Sequence, residues 1–239
     1  MSVLLLQLAA PLQSWGVPSR FVRRTTEQVP SKSGIIGLLA ACQGRERSDD
    51  VSDLAELTFG VRVDQPGTRV RDYQTARHPD TDKPMPVSER FYLADAVFVA
   101  AVGGDDALIS ELHRAVRHPA FLPYLGRRSC PPSRPLALAV RPDKDVRQAL
   151  RSERWHASRW YQRRRRHEKH VNLRLFLDAP SGVKGDAVRD RPLSFDPTHR
   201  RYGLRDVITE SVWVTNPQAR ADDPEPPPHD PMLPLTEDD

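Results

Sequence analysis

The feature that most constrains the fold is a series of short apolar segments between residues 3 and 140. Some of them alternate apolar and polar residues with the period of a strand, and two have the i, i+3, i+4 spacing of a helix. Phe59, Val61 and Val63 alternate with polar residues, for example, which indicates a half-buried strand. We predict helices over 31–43 and 107–117, and strands over 3–8, 59–64, 67–75, 91–102 and 136–140. Strand 67–75 follows a Pro-Gly turn and is predicted to pair with 59–64, and 91–102 has the strongest strand pattern.

This order of elements, β-α-β-β-α-β, is typical of the ferredoxin-like arrangement, so the sequence predicts an α+β fold. The four-stranded antiparallel sheet of that arrangement is also the platform of RNA-recognition domains. The RNP1 sequence signature of those domains is absent here, and a fold by itself does not establish a function.

The pattern is looser after residue 141. A short helix near 143–155 and strands over 171–177 and 207–214 predict a smaller β-rich subdomain at 142–215, which follows a first domain at 1–141. The remaining residues, 216–239, are acidic and rich in proline, and we expect them to be disordered.

Composition excludes several classes of protein. No apolar run approaches the roughly 20 residues of a membrane helix, and the N-terminus lacks the basic region of a signal peptide. Two cysteines, Cys42 and Cys130, form neither a disulfide framework nor a metal quartet. We therefore expect a cytoplasmic protein without a membrane contact, a metal or another cofactor.

Charge is distributed unevenly along the chain. The segment from Asn216 onward holds seven acidic residues and one arginine, so the rest of the chain carries a net charge of about +10. A basic body favours a polyanionic partner. Solvated charged faces remain an alternative explanation.

The segment VPSKSGIIGLLAAC (29–42) begins like a phosphate-binding loop. A P-loop needs two glycines that here are Thr26 and Ser31, so nucleotide triphosphate binding is rejected. Ser31 is a good N-cap and Gly44 can end the helix, which predicts an ordinary capped helix. Lys32 and the free N–H groups of the first turn would form a modest anion site.

Two further stretches combine cations with aromatic rings. Trp15 lies close in sequence to Arg20, which favours base stacking and phosphate binding, although a buried Trp15 is the plain alternative. In RVRDYQTARH (69–78), Tyr73 and His78 are candidates either for RNA contact or for acid–base chemistry on a ribose hydroxyl.

Two loops add basic groups. Gly126, followed by Arg127 and Arg128, forms a turn that predicts a clamp on a nucleic-acid backbone, or else a simple basic turn. The arginine-rich stretch at 154–170 either binds phosphates or forms a solvated helix face. Its H-E-x-H motif does not match the spacing of a helical zinc site.

Several motifs taken together resemble the CRISPR-associated family 5 of subtype I-E, a group of RAMP-type proteins. They are LLLQLAAPLQSWG (4–16), PSKSGIIGLL (30–39), RDYQT (71–75), YLADA (92–96), PYLGRRSCP (123–131) and, more weakly, RDRP (189–192). The resemblance covers residues 3–140 well. The arginine-rich insert and the acidic tail depart from it.

The resemblance implies an RNA-recognition type fold with a β-hairpin thumb, about 67–95, and a non-catalytic role in capping the crRNA 5′ handle. It implies contacts with the backbone subunit and the large subunit of Cascade, and with target DNA only indirectly through the complex. A metal-independent endoribonuclease that processes repeat RNA is the alternative. The candidate RNA contacts are Trp15, Arg20, Ser31, Lys32, Ser33, Arg71, Tyr73, Arg90, Gly126, Arg127, Arg128, Arg201 and Arg205.

Overall fold

The computed structural model describes residues 1–16 and 23–220, which form a seven-stranded antiparallel sheet with helices on both faces and a small second sheet. The helices are α1 (Lys32–Gln43), α2 (Ser52–Ala55), α3 (Asp106–Arg117), α4 (Val146–Ser152) and α5 (Arg159–Arg164). The strands are β1 (Ser2–Ala9), β2 (Leu12–Gln13), β3 (Arg23–Arg24), β4 (Thr58–Gln65), β5 (Thr68–Gln74), β6 (Ser88–Ala94), β7 (Val97–Gly104), β8 (Ala137–Pro142), β9 (His170–Asp178), β10 (Asp186–Ser194) and β11 (Arg201–Thr215).

The large sheet has the strand order β10-β11-β9-β4-β7-β1-β8. Strand β1 separates two hydrophobic cores, because its side chains point alternately to the two faces of the sheet. Leu4, Leu6 and Leu8 pack on the face covered by α1 and α3, whereas Val3 and Leu5 pack on the face covered by α4. The predicted mixed α+β class is therefore confirmed, and both predicted helices of the first 141 residues are present.

The predicted strand over 91–102 is wrong as a single element. The chain turns at Asp95, which has a left-handed backbone (φ 56°), a conformation that aspartate adopts more readily than most residues. Strand β6 therefore ends at Ala94 in the small sheet, and β7 starts at Val97 in the large one. The Asp95 backbone is fixed at both groups, since its N–H donates to Pro11 O at 3.0 Å and its carbonyl accepts from Gln65 Nε2.

The predicted pairing of 67–75 with 59–64 is also wrong. Strand β5 pairs instead with β6, from Thr68 opposite Ala94 to Gln74 opposite Ser88. The two strands form a hairpin over the residues predicted for the thumb, and its tip, 75–87, is exposed. Strands β2 and β3 add to the other edge of β6.

Strand β4 is buried on both faces, which corrects the prediction of a half-buried strand. Arg62 is fully buried and Asp64 is 1% exposed, and the two side chains form an ion pair with Nε and Oδ1 2.7 Å apart. The remaining N–H groups of Arg62 donate to the carbonyls of Leu150, Glu153 and Arg154. The segment after α4 thus covers the face that alternation alone had assigned to solvent.

The C-terminal strands extend the same sheet. Strand β9 pairs with β4, β11 with β9, and β10 with β11. The predicted helix near 143–155 is α4, which begins with a capping box between Asp145 and Gln148. Strand β11 begins at Arg201, six residues before the predicted start. The boundary at 141/142 falls within this continuous sheet and stays a prediction, and residues 221–239 lie outside the described part of the chain.

Within residues 1–16 and 23–220, no helix combines the length and the apolar character required to cross a bilayer.

Candidate nucleic-acid interface

The start of α1 is built as the sequence predicted. Ser31 is the N-cap, and its Oγ accepts from the N–H of Gly34 at 3.2 Å. Gly44 ends the helix with a left-handed backbone (φ 84°), which a residue with a side chain adopts only at a cost. The apolar residues between the two caps pack on the sheet.

A cleft of about 280 Å³ lies beside this helix start. It brings together five stretches of the chain: the end of the first motif, residues 24–25, the first turn of α1, the loop at Gly126, and residues 200–202. Its described lining contains three arginines and five hydroxyl-bearing residues, and no carboxylate. Such a lining favours an anion. The lining residues are Ser14, Gly16, Arg24, Thr25, Ser31, Ser33, Gly34, Gly126, Arg127, Arg200 and Tyr202.

Gly126 allows the loop to lie directly against the backbone of the first motif. Its φ is 89°, and a Cβ at this position would lie 1.6 Å from the carbonyl oxygen of Ser14. The N–H of Ser14 also donates to Leu125 O at 3.1 Å. Only glycine fits here, so the close approach that the sequence suggested is made to the protein's own backbone.

Arg127 is held in a fixed position at the cleft. Its Nη2 donates to the carbonyl of Arg24 at 2.9 Å, and its guanidinium lies over the ring of Tyr92, 4.6 Å from the centroid. Its Nη1 is shielded from solvent and has no hydrogen-bond partner in the described part of the chain. A buried donor without a partner is costly, so a small shift of the Arg127 side chain that let Nη1 donate to an acceptor would be favourable.

Lys32 faces away from the cleft, although Ser31 and Ser33 line it. The Lys32 side chain is 6% exposed, and its Nζ lies 3.0 Å from Asp178 Oδ2. Its backbone N–H donates to Asp190 Oδ2 at 2.7 Å. Both the ammonium and the free amide at this position are therefore occupied by carboxylates of the C-terminal strands.

Arg205 completes this buried ion network. It binds Asp190 through Nε and Nη2, and Asp178 through Nη1 at 2.7 Å. Burial alone would lower the pKa of Arg205, but its hydrogen bonds to Asp190 and the charges of both carboxylates raise it. The network ties the start of α1 to β9, β10 and β11, which is a structural role that the sequence did not reveal.

Trp15 belongs to the hydrophobic core. Its side chain is fully buried, and its Nε1 donates to Gln13 Oε1 at 3.1 Å. Base stacking on this ring would require the fold to open. The geometry therefore agrees with the alternative given above, in which Trp15 is a buried core residue. Arg20 lies outside the described residues.

The hairpin carries exposed cations and rings. The Arg71 guanidinium lies 4.9 Å from the ring centroid of Tyr73, and Tyr73 is 54% exposed. Arg90 is half-buried on β6, where its Nε donates to Ser88 Oγ at 3.4 Å. Arg128 and Arg201 are exposed close in sequence to the cleft residues Arg127 and Arg200.

Sequence reasoning missed seven residues of the cleft, namely Ser14, Gly16, Arg24, Thr25, Gly34, Arg200 and Tyr202. The sequence did contain a signal for Arg200 and Tyr202. In an extended strand, residues i and i+2 lie on one face and the residue between them on the other, so Arg200 and Tyr202 share the face opposite to the predicted Arg201. Burial raises the pKa of the Tyr202 phenol, so its hydroxyl remains a neutral hydrogen-bond donor. In the described residues, no group of three His, Cys, Asp or Glu side chains is placed to hold a metal.

The fold and the cleft define a class of protein: a sheet-rich α+β protein with a cleft of basic lining and an exposed hairpin. The family model described as "CRISPR-associated protein (Cas_Cas5)" matches residues 3–208. The chain therefore belongs to the Cas5 family of CRISPR-associated proteins, which confirms the resemblance given by the motifs.

Individual relatives agree with this assignment. The chain is 39% identical over 170 residues to the CRISPR system Cascade subunit CasD of Escherichia coli strain K12, covering 62% of this chain and 75% of that protein. A structure described as a CRISPR RNA-guided surveillance complex contains a chain with a TM-score of 0.72 and 32% identity, over 92% of this chain and 93% of that one. A crystal structure of a Cas protein matches with a TM-score of 0.67 and 36% identity, over 91% and 97%.

Proposed function

We propose that this chain is a crRNA-binding subunit of a type I-E Cascade surveillance complex and that it holds the 5′ handle of the crRNA without cutting it. The observation that carries the proposal is the cleft, whose described lining holds three arginines and five hydroxyl-bearing residues and no carboxylate. Membership of the Cas5 family and similarity to a Cascade subunit support the same assignment.

In this proposal the cleft binds the phosphates and the hairpin grips the strand. Arg24, Arg127 and Arg200 neutralise phosphate charge, and the hydroxyl groups of Ser31 and Ser33 donate to phosphate oxygens. The exposed ring of Tyr73 with its neighbour Arg71 offers a stacking surface for an unpaired base. Lys32 and Arg205 support this arrangement from the buried ion network rather than through direct contact with RNA.

The four strands β4, β7, β1 and β8, with α1 and α3 on one face, provide the ferredoxin-like platform in this proposal. The backbone and large subunits of Cascade bind to other faces of the chain, and target DNA is met only through the complex. We place the protein in the cytoplasm.

The test uses the chain purified with its natural neighbours, followed by sequencing of the bound RNA and crosslinking of its 5′ end to this chain. We expect Arg128, which is exposed next to the cleft residue Arg127, to bind a further phosphate. In direct binding, changing Arg127 and Arg128 together to alanine should therefore reduce the salt slope for handle RNA by about 1.4, since each lost phosphate contact is worth about 0.7. Changing Arg114 and Arg117, which lie on α3 outside the cleft, is the control of equal charge.

An unchanged slope in the cleft variant would contradict the proposal, as would equal competition by DNA of the same sequence. The endoribonuclease alternative predicts cleavage of repeat RNA by the isolated chain in chelator, lost on changing Tyr73 or His78. Intact RNA after hours at high protein concentration would remove that alternative.

A further inference from the structure

The arginine-rich insert presents a second basic surface, on α5 and the turn after it. Arg159, Arg163, Arg164 and Arg166 are all exposed. None of them forms an ion pair with a carboxylate in the described part of the chain, and Arg163 has only a long contact of 3.5 Å to the amide of Gln218. In the same stretch, by contrast, Arg165 is paired with Glu168 at 2.6 Å.

Neutral groups, and not these four arginines, hold the segment in place. Gln162 is buried, and its Nε2 donates to the carbonyls of Trp155 and Ala157. Asn216 Nδ2 donates to the carbonyls of Gln162 and Arg165 at 3.2 Å and 2.9 Å. The fold is thus secured without the four guanidinium groups, which are kept close together despite their mutual repulsion.

An exposed aromatic ring lies among these cations. Trp160 is 52% exposed, and its ring makes an edge contact with Tyr161 at 5.6 Å between ring centroids. Trp155, in the same insert, is 3% exposed and donates from Nε1 to Asp64 O at 2.8 Å, as a core tryptophan does. The two tryptophans therefore differ, since Trp155 belongs to the core, whereas Trp160 faces solvent in the same short stretch as four arginines that have no carboxylate partner among the described residues.

We propose that the surface formed by Arg159, Trp160, Arg163, Arg164 and Arg166 binds single-stranded nucleic acid, separately from the cleft. The guanidinium groups bind phosphates, and the indole of Trp160 stacks on an unpaired base, a combination that duplexes cannot use fully. Neither group reads the ribose 2′-hydroxyl, so RNA and DNA strands of the same sequence bind alike.

The test measures fluorescence anisotropy of a labelled 20-nucleotide strand with the full chain over a range of salt. The variant changes the four arginines to glutamine, which keeps helix propensity close to that of arginine. At 0.1 M salt, four lost phosphate contacts should lower the salt slope by about 2.8 and weaken binding roughly 600-fold. The control changes Arg47, Arg114, Arg117 and Arg189, which are also exposed and form no ion pair with any described residue.

The aromatic contribution has its own variant. Trp160→Ala should weaken binding of the single strand about 10-fold and leave duplex binding unchanged, and Trp160→Phe should restore most of the loss. Trp213→Ala is the control, because Trp213 is 66% exposed on β11. Circular dichroism of each variant verifies that the fold is kept.

Equal losses in the four-arginine variant and its control would overturn the inference, as would a preference for duplex over single strand. The inference does not rest on the proposed function. If the cleft variant loses handle RNA while the α5 variant binds as well as its control, the function stands and this surface fails. The opposite pattern would keep the surface and reject the cleft.

Discussion

A cation at the start of α1, such as Lys32, can either stabilise the fold or bind RNA. The structure predicts the first use, because the Lys32 side chain is 6% exposed and its Nζ lies 3.0 Å from Asp178 Oδ2. Lys32→Met removes the charge and keeps most of the aliphatic stem. Asp178 would keep its bonds to Arg205 Nη1 at 2.7 Å and to the N–H of Phe59 at 2.9 Å, so it would not be left without partners.

The expected loss of unfolding free energy is therefore that of one charge-assisted hydrogen bond, about 2 kcal/mol. Leaving a buried charge without any partner would cost more, roughly 3–5 kcal/mol. For a chain of this size, 2 kcal/mol corresponds to a fall in Tm of about 4–8 °C. Urea denaturation followed by tryptophan fluorescence measures the loss as a lower midpoint at constant m.

A double-mutant cycle with Asp178→Asn assigns the loss to the pair. Because the two groups are in contact, the loss of unfolding free energy in the double variant should be smaller than the sum of the two single losses by about 1 kcal/mol or more. Unchanged stability of Lys32→Met, combined with weaker binding of handle RNA, would refute this reasoning. It would restore Lys32 as an RNA contact.

Three further changes test other parts of the structure. Gly126→Ala should destabilise the fold by more than about 2 kcal/mol in urea, whereas Gly182→Ala, also at positive φ but with open space around it, should cost only about 1 kcal/mol; equal losses would contradict the close approach to Ser14. Burial by itself would raise the pKa of Glu153, but hydrogen bonds from His156 and Arg141 outweigh it and lower this pKa. The carboxylate therefore stabilises the fold fully above the usual glutamate pKa of about 4.3, and this stabilisation is lost as the pH falls through the lowered pKa. Glu153→Gln should therefore show a shallower fall of Tm on acidification, and an acid limb identical to that of the unchanged chain would count against the ion pair. Removal of 221–239 deletes seven carboxylates and no lysine or arginine, so non-specific binding to nucleic acid should tighten at low salt; unchanged anisotropy titrations would contradict this.

Local signals in the sequence predicted α1, α3 and α4 but not α2, because each signal acts within a few residues. Ser31 and Gly44 fix the ends of α1, and the spacing of Ile109, Leu112 and Val116 fixes the buried face of α3. The capping box at Asp145 similarly marks the start of α4. Strand pairing was harder, because the partner of a strand depends on contacts distant in sequence. Nothing near residue 70 indicates that β5 pairs with β6 and not with β4.

The break at Asp95 and the burial of Arg62 were missed by the sequence analysis for the same reason. In both places the sequence shows a polar residue within an apolar strand, which alternation assigns to a solvent face. For Asp95 the polar residue instead marks a left-handed turn between two sheets. For Arg62 it marks an ion pair covered by a segment about 90 residues later, which local patterning does not detect.

The same distinction explains why the candidate site was predicted only in part. Ser31, Lys32 and Ser33 are adjacent in the sequence, but two of them line the cleft and Lys32 lines a neighbouring groove with Asp178 and Arg205. Cations of this chain that lie among carboxylates, such as Lys32, Arg62 and Arg205, hold the C-terminal strands and α4 against the first half. Among the cations that form no ion pair with a carboxylate of the described residues, two groups are clustered, one at the cleft and one on α5. A positive residue is therefore informative about nucleic acid only after its acidic neighbours in the fold are known, and that knowledge requires the strand order.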